Sequence, residues 1–181
     1  MRSSKRERIV AGALEIIERE GIEALTFDSL AEHVGLTRGG IVYHFRTREA
    51  LFEGIAQDLL TRWQSEALQA LGQPWEQATR NQRISALAIS VLDGSLLRGE
   101  FAFLISGRPE ADALRRAWTD FQREWIGDAE TLTLEQKVGL LAINGWWIEL
   151  ASGTDYIEAM DTPTRAFIIS LISGEFSPVA G

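Results

Sequence analysis

Apolar positions recur along this chain at helical spacing, with no strand-like alternation, so the pattern predicts an all-α protein. Over residues 6–20, Ile9, Val10, Ala13, Leu14 and Ile17 return at helical intervals, and Gly21 is placed to end the helix. Between Thr26 and Glu49 the elements become shorter. Leu30, Ala31, Val34, Leu36 and Ile41 put apolar or small residues where two short helices pack across a tight turn, and Gly35 can take the left-handed backbone that reverses the chain there. Thr26 and Thr37 each offer a hydroxyl to cap one of these helices. The first helix should lie across the pair and complete a three-helix core, with Leu25 and Phe27 buried against it.

Thr47 has the character of an N-cap, with Glu49 in the first turn, and Leu51, Phe52, Ile55, Leu59, Trp63, Ala67 and Leu71 predict one long helix that Gly72-Gln73-Pro74 stops. Helices over residues 82–97 and 101–105 follow, and Gly107-Arg108-Pro109 breaks the chain again. Over residues 109–126 one stripe holds Leu114, Ala117, Trp118, Phe121 and Trp125, with charged residues opposite, which gives a helix with one wet face. Residues 133–152 differ. Leu134, Val138, Leu141, Gly145 and Ile148 form one stripe, while Leu140, Ile143, Asn144, Trp147 and Ala151 form a second, and a helix apolar on two sides needs cover on both. Asp161-Thr162-Pro163 opens a last helix with a cap and a first-turn proline, and residues 166–172 are again apolar on most faces. Two such helices at the end of the chain predict a four-helix interface with a second copy, in which Gly145 and Ala142 allow close approach.

Composition adds limits. The 181 residues are 45% hydrophobic, enough for a real core, and the absence of cysteine excludes disulfides, thiolate metal sites and a cysteine nucleophile. No apolar run reaches the ~18 to 20 residues of a membrane span, so the expected location is the cytoplasm. The net charge of −8 looks unsuited to nucleic acid until it is divided. Residues 1–48 hold 8 Lys/Arg against 7 Asp/Glu, a net +1, which leaves 10 against 19, a net −9, to residues 49–181. In the first part the basic residues sit at the ends (Arg2, Lys5, Arg6, Arg8, then Arg38, Arg46, Arg48), where one face can collect them against phosphates.

The helix beginning at Thr37 is unusual. Gly39 and Gly40 together cost it about 2 kcal/mol relative to alanines, which points to close approach of its backbone by something outside the domain. Both histidines lie in this region. His44 lies on the second of the two short helices, and His33 is expected on the surface. No paired carboxylates occur in an apolar context, Glu149 being the one acid inside an apolar helix, and Gly39-Gly40 lacks the lysine and strand of a phosphate loop. The reading is of a protein that is not an enzyme and needs no metal or cofactor.

The run Gly35-Leu36-Thr37-Arg38-Gly39, then Tyr43-His44-Phe45, then Arg48-Glu49-Ala50-Leu51 resembles the DNA-binding domain of TetR-type transcriptional repressors, over roughly residues 5 to 55. Three positions depart from that pattern: Val42 stands where an aromatic is common, Gly40 where a small hydroxyl or methyl residue is usual, and Arg48 where lysine is common. The resemblance implies a helix-turn-helix domain over residues 1–47 and a helical effector-binding and dimerisation domain over residues 48–181. It implies a homodimeric repressor on a pseudo-palindromic operator, released by a small apolar or aromatic ligand. Thr37 to His44 would lie in the major groove, with Arg38, Gly39 and Gly40 near base edges and Thr26, Tyr43 and Arg48 on phosphates. From a different class, a helical interaction protein that uses the helix-turn-helix as a scaffold would also fit the residues.

All six tryptophans lie beyond that first domain. They suit core and interface packing. They also suit a pocket with Trp63, Phe101, Trp118, Phe121, Trp125 and Trp147 as walls and Asn144 as a polar contact, a reading that the family's effector-holding second domain favours.

Overall fold

The computed structural model describes residues 4–93, 98–105, 107–152 and 161–175. Among the described residues there are nine α-helices: α1 (Lys5–Glu20), α2 (Phe27–Val34), α3 (Arg38–His44), α4 (Arg48–Leu71), α5 (Arg80–Asp93), α6 (Arg98–Ile105), α7 (Asp112–Ile126), α8 (Leu134–Ser152) and α9 (Thr162–Ser173). Short 3₁₀ turns join several of them. α5 starts earlier than its apolar pattern indicates, because Thr79 and Gln82 cap each other's backbone amides. Its expected end at Leu97 lies outside the described residues, as does the side chain of Ala151. Among the described residues no helix is long and apolar enough to cross a membrane.

The chain folds as two compact units, one of Met1–Thr61 with Leu97–Trp118, the other of Arg62–Leu96 with Thr119–Gly181. In the first unit α1, α2 and α3 share a core of Ile9, Val10, Ala13, Leu30 and Ile41, each at most 5% exposed along with Ala31. The α1–α2 crossing is close. A methyl added at Gly12 would overlap the Val34 side chain, so glycine is required there for steric reasons. His33 is not simply a surface residue: its Nε2 lies 2.6 Å from Glu15 Oε2, tying α2 to α1. This unit also takes in residues well beyond the three-helix head. α6 packs on α1, the Phe103 ring sits 5.0 Å from that of Phe52 at the start of α4, and Arg108 pairs with Glu23.

The second unit is built on α5, α8 and α9, which pack on one another around Ile84, Leu87, Ile143, Ile168 and Ile172. Gln136, 3% exposed, donates from Nε2 to Asn81 Oδ1 at 3.1 Å and to the Ile172 carbonyl at 3.2 Å, so its burial leaves no amide hydrogen stranded. Arg80 donates to the carbonyls of Ile126 (2.7 Å) and Asp128 (3.1 Å), closing the C-terminal end of α7. The Asp161 cap expected for α9 forms, with the Thr164 amide 2.7 Å from Asp161 Oδ1; hydrogen bonding to Thr164 holds the Asp161 carboxyl below its ordinary pKa.

α8 buries one of its two apolar stripes. Ile143 and Trp147 are 3% and 5% exposed, and a Cβ at Gly139 would lie 2.5 Å from Ile172 Cγ1, so α9 comes close on this side. The opposite stripe is exposed. Leu134 is 72%, Val138 47% and Leu141 68% exposed, and a Cβ at Gly145 would meet nothing within 4 Å.

Candidate nucleic-acid interface

α2 and α3 are joined through Gly35, whose φ of 65° lies in the left-handed region that side-chain-bearing residues avoid. The reversal is fixed by hydrogen bonds: the Leu36 amide donates to the Ala31 carbonyl at 2.9 Å, closing the end of α2. Thr26 caps α2 and Thr37 caps α3, their hydroxyls accepting from the Ser29 amide at 3.0 Å and the Gly40 amide at 3.1 Å. Ser29 returns the contact, its Oγ accepting from the Thr26 amide at 2.9 Å. Each short helix thus has a side-chain cap at its N-terminus.

α3 is anchored by Ile41, fully buried, and by Phe45 just after it, 2% exposed. The rest of the helix faces outward. Thr37, Arg38 and Gly39 are exposed, Gly40 and His44 half-buried, and Tyr43 is 83% exposed with its ring edge-on to His44 at 5.2 Å. The two glycines answer no internal need. Neither has a positive φ, a Cβ at Gly39 would find its nearest neighbour, Thr37 Oγ1, at 3.9 Å, and one at Gly40 would make an ordinary contact with the same atom at 3.4 Å. Of the residues expected to contact DNA, Thr26, Thr37, Arg38, Gly39, Gly40, Tyr43 and His44 all lie on α3 or at the starts of α2 and α3.

Arg48 stands apart from them. Its guanidinium donates to the Leu25 carbonyl at 2.5 Å, pairs with Glu110 Oε1 at 3.4 Å and covers the Phe52 ring at 5.0 Å. These contacts make it a clasp within the first unit, with Nε and Nη1 both engaged. Arg48→Ala should therefore lower stability by roughly 1 to 2 kcal/mol, by leaving the Leu25 carbonyl and Glu110 without their charged partner. It should leave the salt slope of DNA binding unchanged; a slope flatter by about one would return Arg48 to the phosphates. Two N-terminal cations are also engaged, Arg8 with the Val34 carbonyl at 3.0 Å and Arg6 over the Phe45 ring at 5.1 Å. Asp28, which the pattern of the sequence does not single out, holds Arg38: Nη1 lies 2.5 Å from Oδ2.

The residues expected to hold a ligand divide between the units. Phe101, buried, and Trp118, half-buried, belong to the first. In the second, the Trp63 and Phe121 rings are 6.4 Å apart and the Phe121 and Trp125 rings 5.7 Å apart, all three buried. Trp75 extends this series, edge-on to Trp125 at 4.9 Å and covered by the Arg83 guanidinium at 4.6 Å. Trp147 is buried too. Asn144 is not with it: its side chain is on the exposed side of α8, among Leu141, Gly145 and Ile148. A separate groove of about 610 Å³ runs along α5 and is lined by Gln73, Asn81, Ser85, Ile89 and Ile169 among others, which turns Ile169 toward α5.

Comparison with known proteins agrees with this geometry. The family model "Bacterial regulatory proteins, tetR family" matches residues 9–55, the segment from α1 to the start of α4. The class D tetracycline repressor protein of Escherichia coli is 31% identical over 80 residues, 44% of this chain and 37% of the repressor. The chain thus matches little more than a third of that relative's length. A member of the TetR family from Streptomyces coelicolor A3 shares the fold with a TM-score of 0.66 at 19% identity, over 93% of this chain and 98% of the other. The multidrug binding protein EbrR, solved with imidazole, superposes with a TM-score of 0.60 at 20% identity, over 99% and 98% of the two chains. Residues 9–55, the helix-turn-helix segment, are thus what this chain shares with the tetR family of bacterial regulatory proteins.

Proposed function

We propose that this chain is a transcriptional repressor that binds a pseudo-palindromic operator as a homodimer and is released by a small apolar or aromatic molecule. The observation that carries the DNA-binding reading is the outer face of α3, where two glycines with no internal role stand between an exposed arginine and an 83% exposed tyrosine. A helix weakened by glycines at its solvent side gains nothing in the folded monomer. It gains when a base edge or phosphate must come within contact of its backbone. The dimer reading rests on the open stripe of α8, which a second copy would cover. Selection of duplexes from random DNA, followed by a salt titration of the selected site, tests it. Steep loss of affinity with rising salt and a two-fold symmetric consensus are expected, and binding that ignores salt and sequence would overturn it.

The effector reading rests on the buried aromatic series of the second unit. EbrR, which shares the fold, binds imidazole and malachite green, so aromatic bases and cations are the first ligands to try. The excess of acidic residues over residues 49–181 also suits a neutral or cationic molecule. With such a ligand, tryptophan fluorescence should be quenched and operator released. Trp125→Ala or Trp147→Ala should abolish the quenching while leaving the operator affinity of the free protein within about threefold, since neither is near α3 in sequence or unit. Folded variants that still respond normally to an effective inducer would make these tryptophans core residues only.

A further inference from the structure

We infer that Asp28 is a specificity-determining residue which, by holding Arg38, makes the protein select guanine at one position in each half-site. The inference rests on the DNA-binding reading given above. Asp28 is the second residue of α2 and Arg38 the first of α3, and their ion pair joins the two helix starts at 2.5 Å from Nη1 to Oδ2. Both side chains are well exposed, 69% for Asp28 and 63% for Arg38. An ion pair this wet adds little to folding stability, so the fold does not explain it.

Affinity does not explain it either. A carboxylate beside a surface that meets phosphates weakens binding to every sequence alike, and it also offsets the charge of the arginine that α3 presents. What the pair supplies is orientation. A free arginine at this position has several rotamers and reaches the nearest phosphate, which carries no sequence information. Held by Asp28 through one Nη1 hydrogen, the guanidinium keeps its Nε–Nη2 edge open; among the described residues no other side-chain hydrogen bond of Arg38 is present. That edge presents two parallel donors, which match the O6 and N7 acceptors of guanine and clash with the amino group that adenine puts beside its N7. The second oxygen of Asp28 accepts only donors, so it opposes guanine O6 or thymine O4 at a neighbouring base and tolerates cytosine or adenine amino groups.

The test is selection from random duplex DNA by the full chain and by Asp28→Ala, Asp28→Asn and Arg38→Ala. The parent should prefer guanine at one half-site position by about ten- to hundredfold, and Arg38→Ala should erase that preference. Asp28→Ala should reduce it to about threefold or less while affinity for random DNA rises, because a negative charge has left the interface. Asp28→Asn, which keeps the shape without the charge, should fall between the two. If the parent selects a sequence and Asp28→Ala keeps the full guanine preference, gaining affinity for all duplexes equally, the carboxylate is only an electrostatic brake and the inference is overturned. A parent that shows no sequence selection would overturn the proposed function itself, a result recognisable without any variant.

Discussion

Gly39→Ala is expected to give a protein that is more stable and binds DNA worse. In the seven-residue α3 the glycine sits in the first turn, exposed, with ordinary helical backbone and no atom that an added Cβ would strike. Replacing it by alanine removes backbone freedom from the unfolded chain and should add up to about 1 kcal/mol. For a chain of this size that is a rise of about 2 to 4 °C in Tm. On DNA the sign reverses. The methyl group would stand where the backbone of α3 must come closest to the bases, forcing the helix outward and lengthening the contacts on either side, at Arg38 and Tyr43. Losing one such contact costs about 1 to 3 kcal/mol, roughly five- to 150-fold in affinity per half-site. Thermal unfolding and fluorescence anisotropy on the selected operator measure the two effects separately. Higher stability with undiminished affinity would remove the main support for placing this face of α3 in the groove.

The parts of the structure that could be read in advance are those determined by near neighbours in the chain. The caps at Thr26, Thr37 and Asp161, the left-handed turn at Gly35 and the proline stop after α4 depend on residues within four positions of each other, and the apolar repeats locate each buried face. What could not be read was which distant residue meets a given side chain. Glu110 lies 62 positions from Arg48, so neither residue marks the other in the sequence, and the phosphate role that the resemblance implies for Arg48 gives no hint of the clasp. Glu15 and His33, 18 positions apart, pair for similar reasons of packing. Asp28 carries no signal of its own in the sequence, since an acidic residue does not mark a surface that meets phosphates. Asn144 shows the complementary error: one position on a helix turns 100°, enough to move a residue of a mixed apolar helix from the buried stripe to the open one. The link between α6 and the head was illegible for the same reason, since Phe52 and Phe103 are joined only by the path of the chain between them.

Leu141→Arg should leave the protomer folded and abolish the dimer, and with it most of the operator affinity. Leu141 lies on the open stripe of α8, 68% exposed, with Val138 at 47% and Leu134 at 72% one and two turns before it. Apolar side chains aligned along one helix over several turns are rare on monomer surfaces and common where another protein covers them. Gly145 continues the stripe with open space where its side chain would be, which lets a second α8 come close, whereas Gly139 is already filled on its side by Ile172 of the same chain. A second copy fits because the stripe, being one patch, can meet itself across a two-fold axis. Arginine at position 141 leaves the buried stripe of Ile143 and Trp147 untouched, so helicity should be unchanged and Tm of the monomer should fall little. Its charge would have to be desolvated opposite its own symmetry mate, which the interface cannot sustain. Each half-site would then be bound alone. Losing the gain from linking two sites should weaken operator binding by about 100-fold or more. Ile169 is the poorer position for this test because it faces the groove beside α5, where arginine would disturb the protomer itself. Sedimentation equilibrium at micromolar concentration, with anisotropy on the same samples, decides the matter: a parent that sediments as a monomer, or a Leu141→Arg variant that stays dimeric, would put the interface elsewhere.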